Sequence, residues 1–375
     1  MSDAAASSDP EGRCPIGPEF LPPNMRKHVD PTSPVALRMM AAKALIPLAP
    51  SEMLGALFVL TFDPDATIRE TAAKTASGLP DRLLAPGFRD EATKAPVLGY
   101  FLGRVAPDSG YAEMIILNAA TADEAVAKAA SVCSSRVAEI IAQNQLRILR
   151  HEDIIRQLCR NPNASRSLID GVCDFAVRSG VALEDVPAMQ QARVRIFGPD
   201  ALSKPVDRGP TAVEIIHEYN ELADEASPPL EEGKRLTLAQ RVMKMSITEK
   251  IKLATVGNKE ARGLLIRDTN KLVAVAVIRS PRITDGEVLR ISQNRAVLDD
   301  VLRVIYGNRE WTKLYAVKLA LVKNPKTPLA ISLRFLTQRR EGEVKDISRD
   351  RNVPSSVQLA AKKAIDKRDA PKREH

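Results

Sequence analysis

Residues 272–336 read LVAVAVIRSPRITDGEVLRISQNRAVLDDVLRVIYGNREWTKLYAVKLALVKNPKTPLAISLRFL. Short apolar segments alternate here with turn residues such as Ser-Pro and Gly-Asn, which predicts four short helices and the start of a fifth. Similar turns recur 44 residues apart, at Ser280 and Asn324 and again at Asn308 and Asn352. A block of that size, built from paired helices, is typical of α-solenoids. The pattern therefore predicts an all-α solenoid of short antiparallel helix pairs.

The first half of the chain carries an echo of this region. Residues 151–161 read HEDIIRQLCRN and residues 284–294 read TDGEVLRISQN, and both segments end in Asn at an offset of 133 residues. This similarity predicts that both halves are built from one kind of repeat. The apolar run Leu272–Ile278 also fits a buried strand, but we predict a helix because no pairing strand lies nearby in the sequence.

Two short motifs resemble known helical repeats. The turn Asn324-Pro325-Lys326-Thr327-Pro328 resembles that of leucine-rich-repeat-variant proteins, and Asp63-Pro64-Asp65 before an Ala-rich helix resembles HEAT-type repeats. The resemblance covers roughly residues 36–195 and 246–366 and implies stacked helices without a particular activity. It implies that Asn324 ends a helix, in the left-handed conformation, and that Thr327 caps the next one. No counterpart exists of the cysteine cluster that binds an iron–sulfur centre in one variant-repeat protein, so the resemblance adds no cofactor.

Composition divides the chain into five parts. We predict a disordered Pro-rich tail (1–34), an N-terminal helical-repeat block (35–195), an acidic Pro/Gly-rich connector with one helix (196–245), a basic C-terminal helical-repeat block (246–366) and a charged frayed end (367–375). Within the tail, residues 16–21 are an alternative docking motif. The connector helix should begin with a capping box at Thr211 and Glu214. An alternative role for the connector is to mask the basic block.

Charge is distributed unevenly. The chain has 55 Lys+Arg against 47 Asp+Glu, a net charge of +8. Residues 241–375 contain 30 Lys+Arg and 15 Asp+Glu, a net charge of +15, which leaves −7 on residues 1–240. Such asymmetry is compatible with solvated helix faces, and otherwise indicates an acidic protein, a nucleic acid or an anionic membrane surface as partner.

No motif for catalysis or metal binding is present. The four cysteines form no Cys-x-x-Cys motif, the four histidines have no metal-ligand spacing, and no phosphate-binding Gly-rich loop occurs. We expect a non-enzymatic protein without cofactor or metal. The N-terminus does not resemble a signal peptide and no apolar run is long enough to cross a bilayer, so we expect a cytoplasmic protein.

The C-terminal block contains the candidate binding residues. We predict a helical-repeat scaffold that binds an acidic protein partner, with Trp311, the only tryptophan, as an aromatic anchor within a basic rim. The structural alternative is that Trp311 packs between repeats. The predicted contact residues are Arg309, Trp311, Lys313, Tyr315, Lys318, Arg282, Arg290, Arg295 and Arg303.

A nucleic-acid-binding solenoid is the alternative function. Its phosphate contacts would come from cations of the same block. They are Arg279, Arg282, Arg290, Arg295, Arg303, Arg309, Lys313, Lys318, Lys323, Lys326 and Arg334. A DNA glycosylase of HEAT-like type would also need an acidic residue beside aromatic side chains, for which Glu310 is the nearby candidate.

Overall fold

The computed structural model describes residues 14–202, 210–216, 239–337 and 340–369. Over these residues all regular elements are helical and no β-strand is present. The predicted all-α fold is therefore confirmed, and the apolar run Leu272–Ile278 lies in a helix. The chain forms two compact units that divide between Lys204 and Pro205, except that Ser179–Val181 belong to the second unit.

The first unit begins with two short 3-10 helices and continues with α-helices. The 3-10 helices are Pro18–Phe20 and Arg26–His28. The α-helices are α1 Val35–Ala42, α2 Pro50–Leu60, α3 Ala66–Ser77, α4 Asp81–Arg89, α5 Ala95–Leu102, α6 Gly110–Leu117, α7 Asp123–Ala130, α8 Ser135–Gln143, α9 Gln145–Arg150, α10 Asp153–Arg160, α11 Arg166–Arg178 and α12 Pro187–Phe197. A third 3-10 helix, Pro199–Leu202, follows them.

The second unit contains helical residues 212–216 and 239–244 and then a series of short helices. These are α13 Ile247–Val256, α14 Lys259–Leu265, α15 Lys271–Ile278, α16 Asp285–Gln293, α17 Asp299–Gly307, α18 Arg309–Lys313, α19 Tyr315–Lys323, α20 Leu329–Leu336, α21 Glu341–Arg349 and α22 Ser355–Asp369.

Within each unit, several helices pack against the helix two positions further along the chain. In the first unit α2 contacts α4 and α4 contacts α6, while in the second α13 contacts α15 and α15 contacts α17. The helices α13, α15 and α17, which pack in this order, start at Ile247, Lys271 and Asp299, 24 and 28 residues apart. The recurrence of similar turns every 44 residues stays a prediction.

Three buried asparagines link successive turns. Asn118, Asn161 and Asn324 each follow the last residue of a helix, with extended backbone, and are 5, 3 and 3% exposed. Each Oδ1 accepts a hydrogen bond from the backbone N–H two residues later, and each Nδ2 donates to carbonyls of an earlier turn. We call this arrangement the turn ladder. It satisfies carbonyls that the ends of the helices leave without a partner.

The turn ladder corrects our expectation for the motif at Asn324. Asn324 has φ −80° and ψ 122°, which is extended rather than left-handed backbone. Thr327 does not cap α20: the N-cap position is Pro328, and Thr327 Oγ1 is buried with no hydrogen-bond partner among the described residues. The side chain of Asn324 spans to Ser292 O at 2.8 Å and to Asn294 O at 3.2 Å, which favours the extended turn.

The described part of the predicted tail is packed against the first unit. Leu21 and Val29 are 2 and 3% exposed, and the ring of Phe20 lies over Gly55, where a Cβ atom would be 2.5 Å from Phe20 Cε2. Residues 14–34 thus depart from the predicted disorder, and the docking alternative for residues 16–21 stays a prediction. Residues 1–13 lie outside the described residues.

The described parts of the predicted connector are also packed. Thr211 and Glu214 form the expected capping box, with Thr211 N–H donating to Glu214 Oε2 at 3.0 Å and Glu214 N–H to Thr211 Oγ1 at 3.3 Å. Ile215 is fully buried, and the backbone N–H of Ala212 donates to Glu249 Oε2 at 2.9 Å. Residues 217–238 of the connector lie outside the described residues, so the masking role is untested.

Candidate partner-binding surface

The short helix α18 carries the centre of the predicted site, and Asn308 holds it in place. Asn308 ends α17 and also caps α18, because its Oδ1 accepts hydrogen bonds from the backbone N–H groups of Glu310 at 2.9 Å and Trp311 at 3.3 Å. Thr312 Oγ1 donates back to Asn308 O at 2.8 Å. These local hydrogen bonds fix α18 as a single helical turn between α17 and α19, and this turn carries Arg309 and Trp311.

Three of the predicted arginines are exposed and unpaired. Arg290, Arg303 and Arg309 have no ion pair or hydrogen bond to any residue that the structure describes. Arg303 and Gly307 share one face of α17, since they are four residues apart, and Arg309 follows immediately after the cap. Asp299 lies on the same face one turn before Arg303 but forms no ion pair with it. Arg303 and Arg309 are thus available on both sides of the end of α17.

The aromatic residues of the site are only partly covered. Trp311 is half-buried, so it neither projects fully into solvent nor is enclosed between repeats. Tyr315 is 43% exposed, and its hydroxyl is hydrogen-bonded to the carboxylate of Glu343 on α21. Lys318 is half-buried and also interacts with the protein. Trp311 and Tyr315 therefore both leave part of their rings accessible, and the hydroxyl of Tyr315 is anchored to α21.

Other predicted cations are engaged within the protein. Lys313 pairs with Glu310 at 2.6 Å. The guanidinium groups of Arg282 and Arg295 donate to main-chain carbonyls, at 2.7 Å to Val256 O and 2.9 Å to Asn352 O, respectively. These three side chains belong to the predicted site by position, but their hydrogen-bonding capacity is already partly used.

The same division applies to the cations of the nucleic-acid alternative. Lys326 Nζ donates to Val297 O at 2.8 Å, and Lys323 lies 3.3 Å from Asp350. A backbone hydrogen bond from Asn352, together with Lys323 and Arg295, holds the pKa of Asp350 below its usual range. Arg334 lies over the ring of Phe335, whereas Arg279 is exposed and has no partner among the described residues. The C-terminal cations therefore do not form one uniform set of free charges.

A buried ion pair supports the helices next to the site. Arg262 on α14 donates from Nε and Nη2 to the two carboxylate oxygens of Glu287 on α16, at 2.9 and 3.0 Å. Burial alone would raise the pKa of Glu287, but hydrogen bonds from Arg262 and Thr284 outweigh it and hold this pKa below its ordinary value. Such a two-pronged pair fixes the relative positions of two helices. The sequence pattern gave no reason to pair these two residues.

Several residues that build the site were missed by sequence reasoning. The position of Glu343 opposite Tyr315 depends on the packing of α21, which no local pattern reveals. Asn308 had a usable signal, because an Asn followed by a short helix with Glu in its first turn is a typical N-cap. The turn pattern alone predicts only that Asn308 ends a helix.

The described residues offer little for small-molecule chemistry. They contain no group of three or more His, Cys, Asp or Glu side chains placed to hold a metal ion. A depression of about 130 Å³ lies where the N-terminal segment meets α2 and the turn before α5. Pockets for drug-sized ligands are usually several hundred Å³, so this depression is small for that purpose. Among the described helices, none combines the length and apolar character that crossing a bilayer requires.

Comparison with known proteins gave no match to a family model, to a curated protein or to a solved structure. The resemblance to HEAT-type and leucine-rich-repeat-variant proteins therefore stays a resemblance in short motifs. Any function must be argued from the residues of this chain.

Proposed function

We propose that this chain is a non-enzymatic helical-repeat scaffold that binds an acidic protein partner through Trp311 and the arginines around it. The observation that carries the proposal is that Arg303 and Arg309, before and after the cap that positions Trp311, are exposed and have no partner in the part of the chain that the structure describes. An arginine that is not used within its own protein keeps all its donors for a partner's carboxylates. A cytoplasmic location remains part of the proposal.

The chemistry of the site favours a protein partner over a small molecule. Trp, Tyr and Arg are the residues enriched at the energetically important centres of protein interfaces. Trp311 and Tyr315 provide apolar area, and the arginines provide charge selection. Charged residues at the rim mainly accelerate association and discriminate between partners, while the aromatic centre supplies affinity.

The test uses the full-length chain and a fluorescent glutamate-rich peptide as the acidic probe. Replacing Arg303 and Arg309 together with Glu should weaken binding about tenfold or more, because two attractions become repulsions. The matched control is Arg82→Glu with Arg89→Glu on α4, two exposed arginines without partners among the described residues. Both variants change the net charge equally. Equal binding by the two variants would show that the peptide responds only to total charge.

Nucleic-acid binding through the same cations is the competing outcome. Single- and double-stranded oligonucleotides that match the peptide in charge are titrated alongside it, over a range of salt concentrations. Phosphate binding should weaken steeply with salt, roughly in proportion to the number of contacts. If an oligonucleotide binds more tightly than the peptide and the Arg303/Arg309 variant abolishes that binding, the site serves nucleic acid and the proposal of a protein partner is wrong.

A further inference from the structure

Two cysteines that form no recognised sequence motif lie close together where α10 meets α11. Cys159 lies in the last turn of α10 and Cys173 in the middle of α11, and their Sγ atoms are 3.9 Å apart. Cys173 is fully buried, whereas Cys159 is partly exposed. The sequence shows no Cys-x-x-Cys motif that would pair them. Their juxtaposition gives them a shared chemistry.

The surroundings make the two thiols unequal. A hydrogen bond from the Cys173 thiol outweighs burial and lowers the pKa of Cys159 below its ordinary value. The same hydrogen bond, then burial, then the negative charges of Asp170 and Asp174 raise the pKa of Cys173. Arg195 of α12 lies 2.6 Å from Asp174 and 3.5 Å from Asp170, so it holds both of these α11 carboxylates in place. Cys159 is therefore the accessible and more acidic thiol, and Cys173 is the protonated neighbour.

We propose that Cys159 and Cys173 form a thiol pair that small hydroperoxides oxidise to an intrachain disulfide. Cys159 is the attacking residue because it is reachable from solvent, and Cys173 is the resolving residue because its sulfur lies beside it. No other cysteine of the described residues is placed to react with Cys159: Cys133 contacts the side chain of Asn161, and Cys14 lies in the N-terminal segment.

The reaction balances in two steps. The Cys159 thiolate attacks one oxygen of hydrogen peroxide, the O–O bond breaks, and the departing hydroxide takes a proton to become water. Cys159 is thereby oxidised to a sulfenic acid. The sulfur of Cys173 then attacks the sulfur of Cys159, the S–O bond breaks, and the proton from Cys173 leaves with hydroxide as a second water. Overall, two thiols and one peroxide give one disulfide and two waters.

The geometry makes the second step a short movement. A disulfide has a sulfur–sulfur distance of about 2.05 Å, so the sulfurs must approach by about 1.9 Å from 3.9 Å. The turn at 161–165 joins α10 and α11, and these two helices are already in contact. The new bond would span the turn that contains Asn161, and so would fix a step of the turn ladder.

The experiment exposes the reduced full-length chain to hydrogen peroxide, blocks the remaining thiols and maps tryptic peptides by mass spectrometry. The expected result is a loss of two of the four free thiols and a linked pair of peptides, residues 157–160 joined to residues 167–178. Treatment with a thiol reductant should restore all four thiols. Oxidation that leaves these two peptides unlinked, while Cys14 or Cys133 reacts first, would overturn the proposal.

Two variants assign the roles. In Cys173→Ser, a dimedone probe should label Cys159 as a sulfenic acid that can no longer be resolved. In Cys159→Ser, Cys173 should stay reduced under the same dose, because it is buried. Cys14→Ser is the matched control and should form the linked peptides like the native chain. Equal dimedone labelling of all cysteines would contradict the assignment, and the native-chain mapping remains decisive if a variant folds poorly.

Discussion

The turn ladder predicts a specific loss of stability when Asn324 is replaced with Ala. The Asn324 side chain is buried and makes three hydrogen bonds, two donated to Ser292 O and Asn294 O and one accepted from Lys326 N–H. Each such bond contributes about 1 kcal/mol to the free energy of unfolding, so their loss should cost about 3 kcal/mol. With a urea dependence of about 2 kcal/mol per molar, the unfolding midpoint should fall by about 1.5 M.

The comparison variant is Asn294→Ala, at the end of α16. The Asn294 side chain is half-buried, and among the described residues it makes one hydrogen bond, accepted from Ala296 N–H at 2.9 Å. Its replacement should cost about 1 kcal/mol, with a midpoint about 0.5 M lower. Because Trp311 is the only tryptophan and lies in the second unit, its fluorescence during a urea titration reports unfolding of that unit. A midpoint for Asn324→Ala that is no lower than that for Asn294→Ala would refute the reasoning.

Three further predictions concern the buried ion pair, the N-terminal segment and the site. Replacing Glu287 with Gln leaves Arg262 buried without a counter-charge and should cost about 3–5 kcal/mol. The folded-state pKa of Glu287 lies below its ordinary value of 4.5. The native chain should therefore keep this stabilisation above pH 4.5 and lose it as the pH falls through the folded-state pKa. The Gln variant should lack this pH dependence of stability in acid titrations. Gly55→Ala should displace the ring of Phe20 and cost about 1–3 kcal/mol, as measured by thermal unfolding. Trp311→Ala should weaken peptide binding about tenfold in fluorescence anisotropy.

Each of these predictions has an outcome that contradicts it. Parallel pH dependences of stability for the native chain and the Glu287 variant would show that this carboxylate is not stabilised by Arg262. For the N-terminal contact, the double variant with Phe20→Ala should be no less stable than Phe20→Ala alone, since the clash is gone. A further loss there would place the cost of Gly55→Ala elsewhere. If Trp311→Ala lowers stability and leaves binding intact, Trp311 is a packing residue.

The helical fold and the positions of several helices could be predicted because nearby residues in the sequence determine them. Apolar residues at helical spacing, Pro and Gly punctuation and capping residues placed Lys271–Ile278 and the capping box at Thr211 correctly. Asn161 and Asn294, which the echo aligned, both follow a helix and accept a hydrogen bond from the backbone N–H two residues later, while the common repeat of the two halves stays a prediction. Local hydrogen bonding decides all of these features, so a single sequence suffices for them.

Sequence reasoning missed the features that depend on contacts between helices. Similar turn residues serve different roles: Asn308 caps α18, whereas the backbone N–H of Asn352 donates to Oδ1 of Asp350. Thr327 looked like a cap, but it is buried beside the turn that Asn324 organises. In the predicted site, sequence reasoning did not separate Arg303 and Arg309, which have no partner among the described residues, from Arg282 and Arg295, whose carbonyl partners lie 26 and 57 residues away.

The most direct test of the proposed function follows the emission of Trp311 while the glutamate-rich peptide is added. Because the chain has one tryptophan, a saturable change in tryptophan emission reports a change in the environment of Trp311. We predict a change that follows the binding curve from anisotropy, persists in the Arg82/Arg89 control and requires about tenfold more peptide in the Arg303/Arg309 variant. Peptide binding with unchanged Trp311 emission, and with equal affinity in both variants, would contradict the proposal that this surface binds acidic proteins.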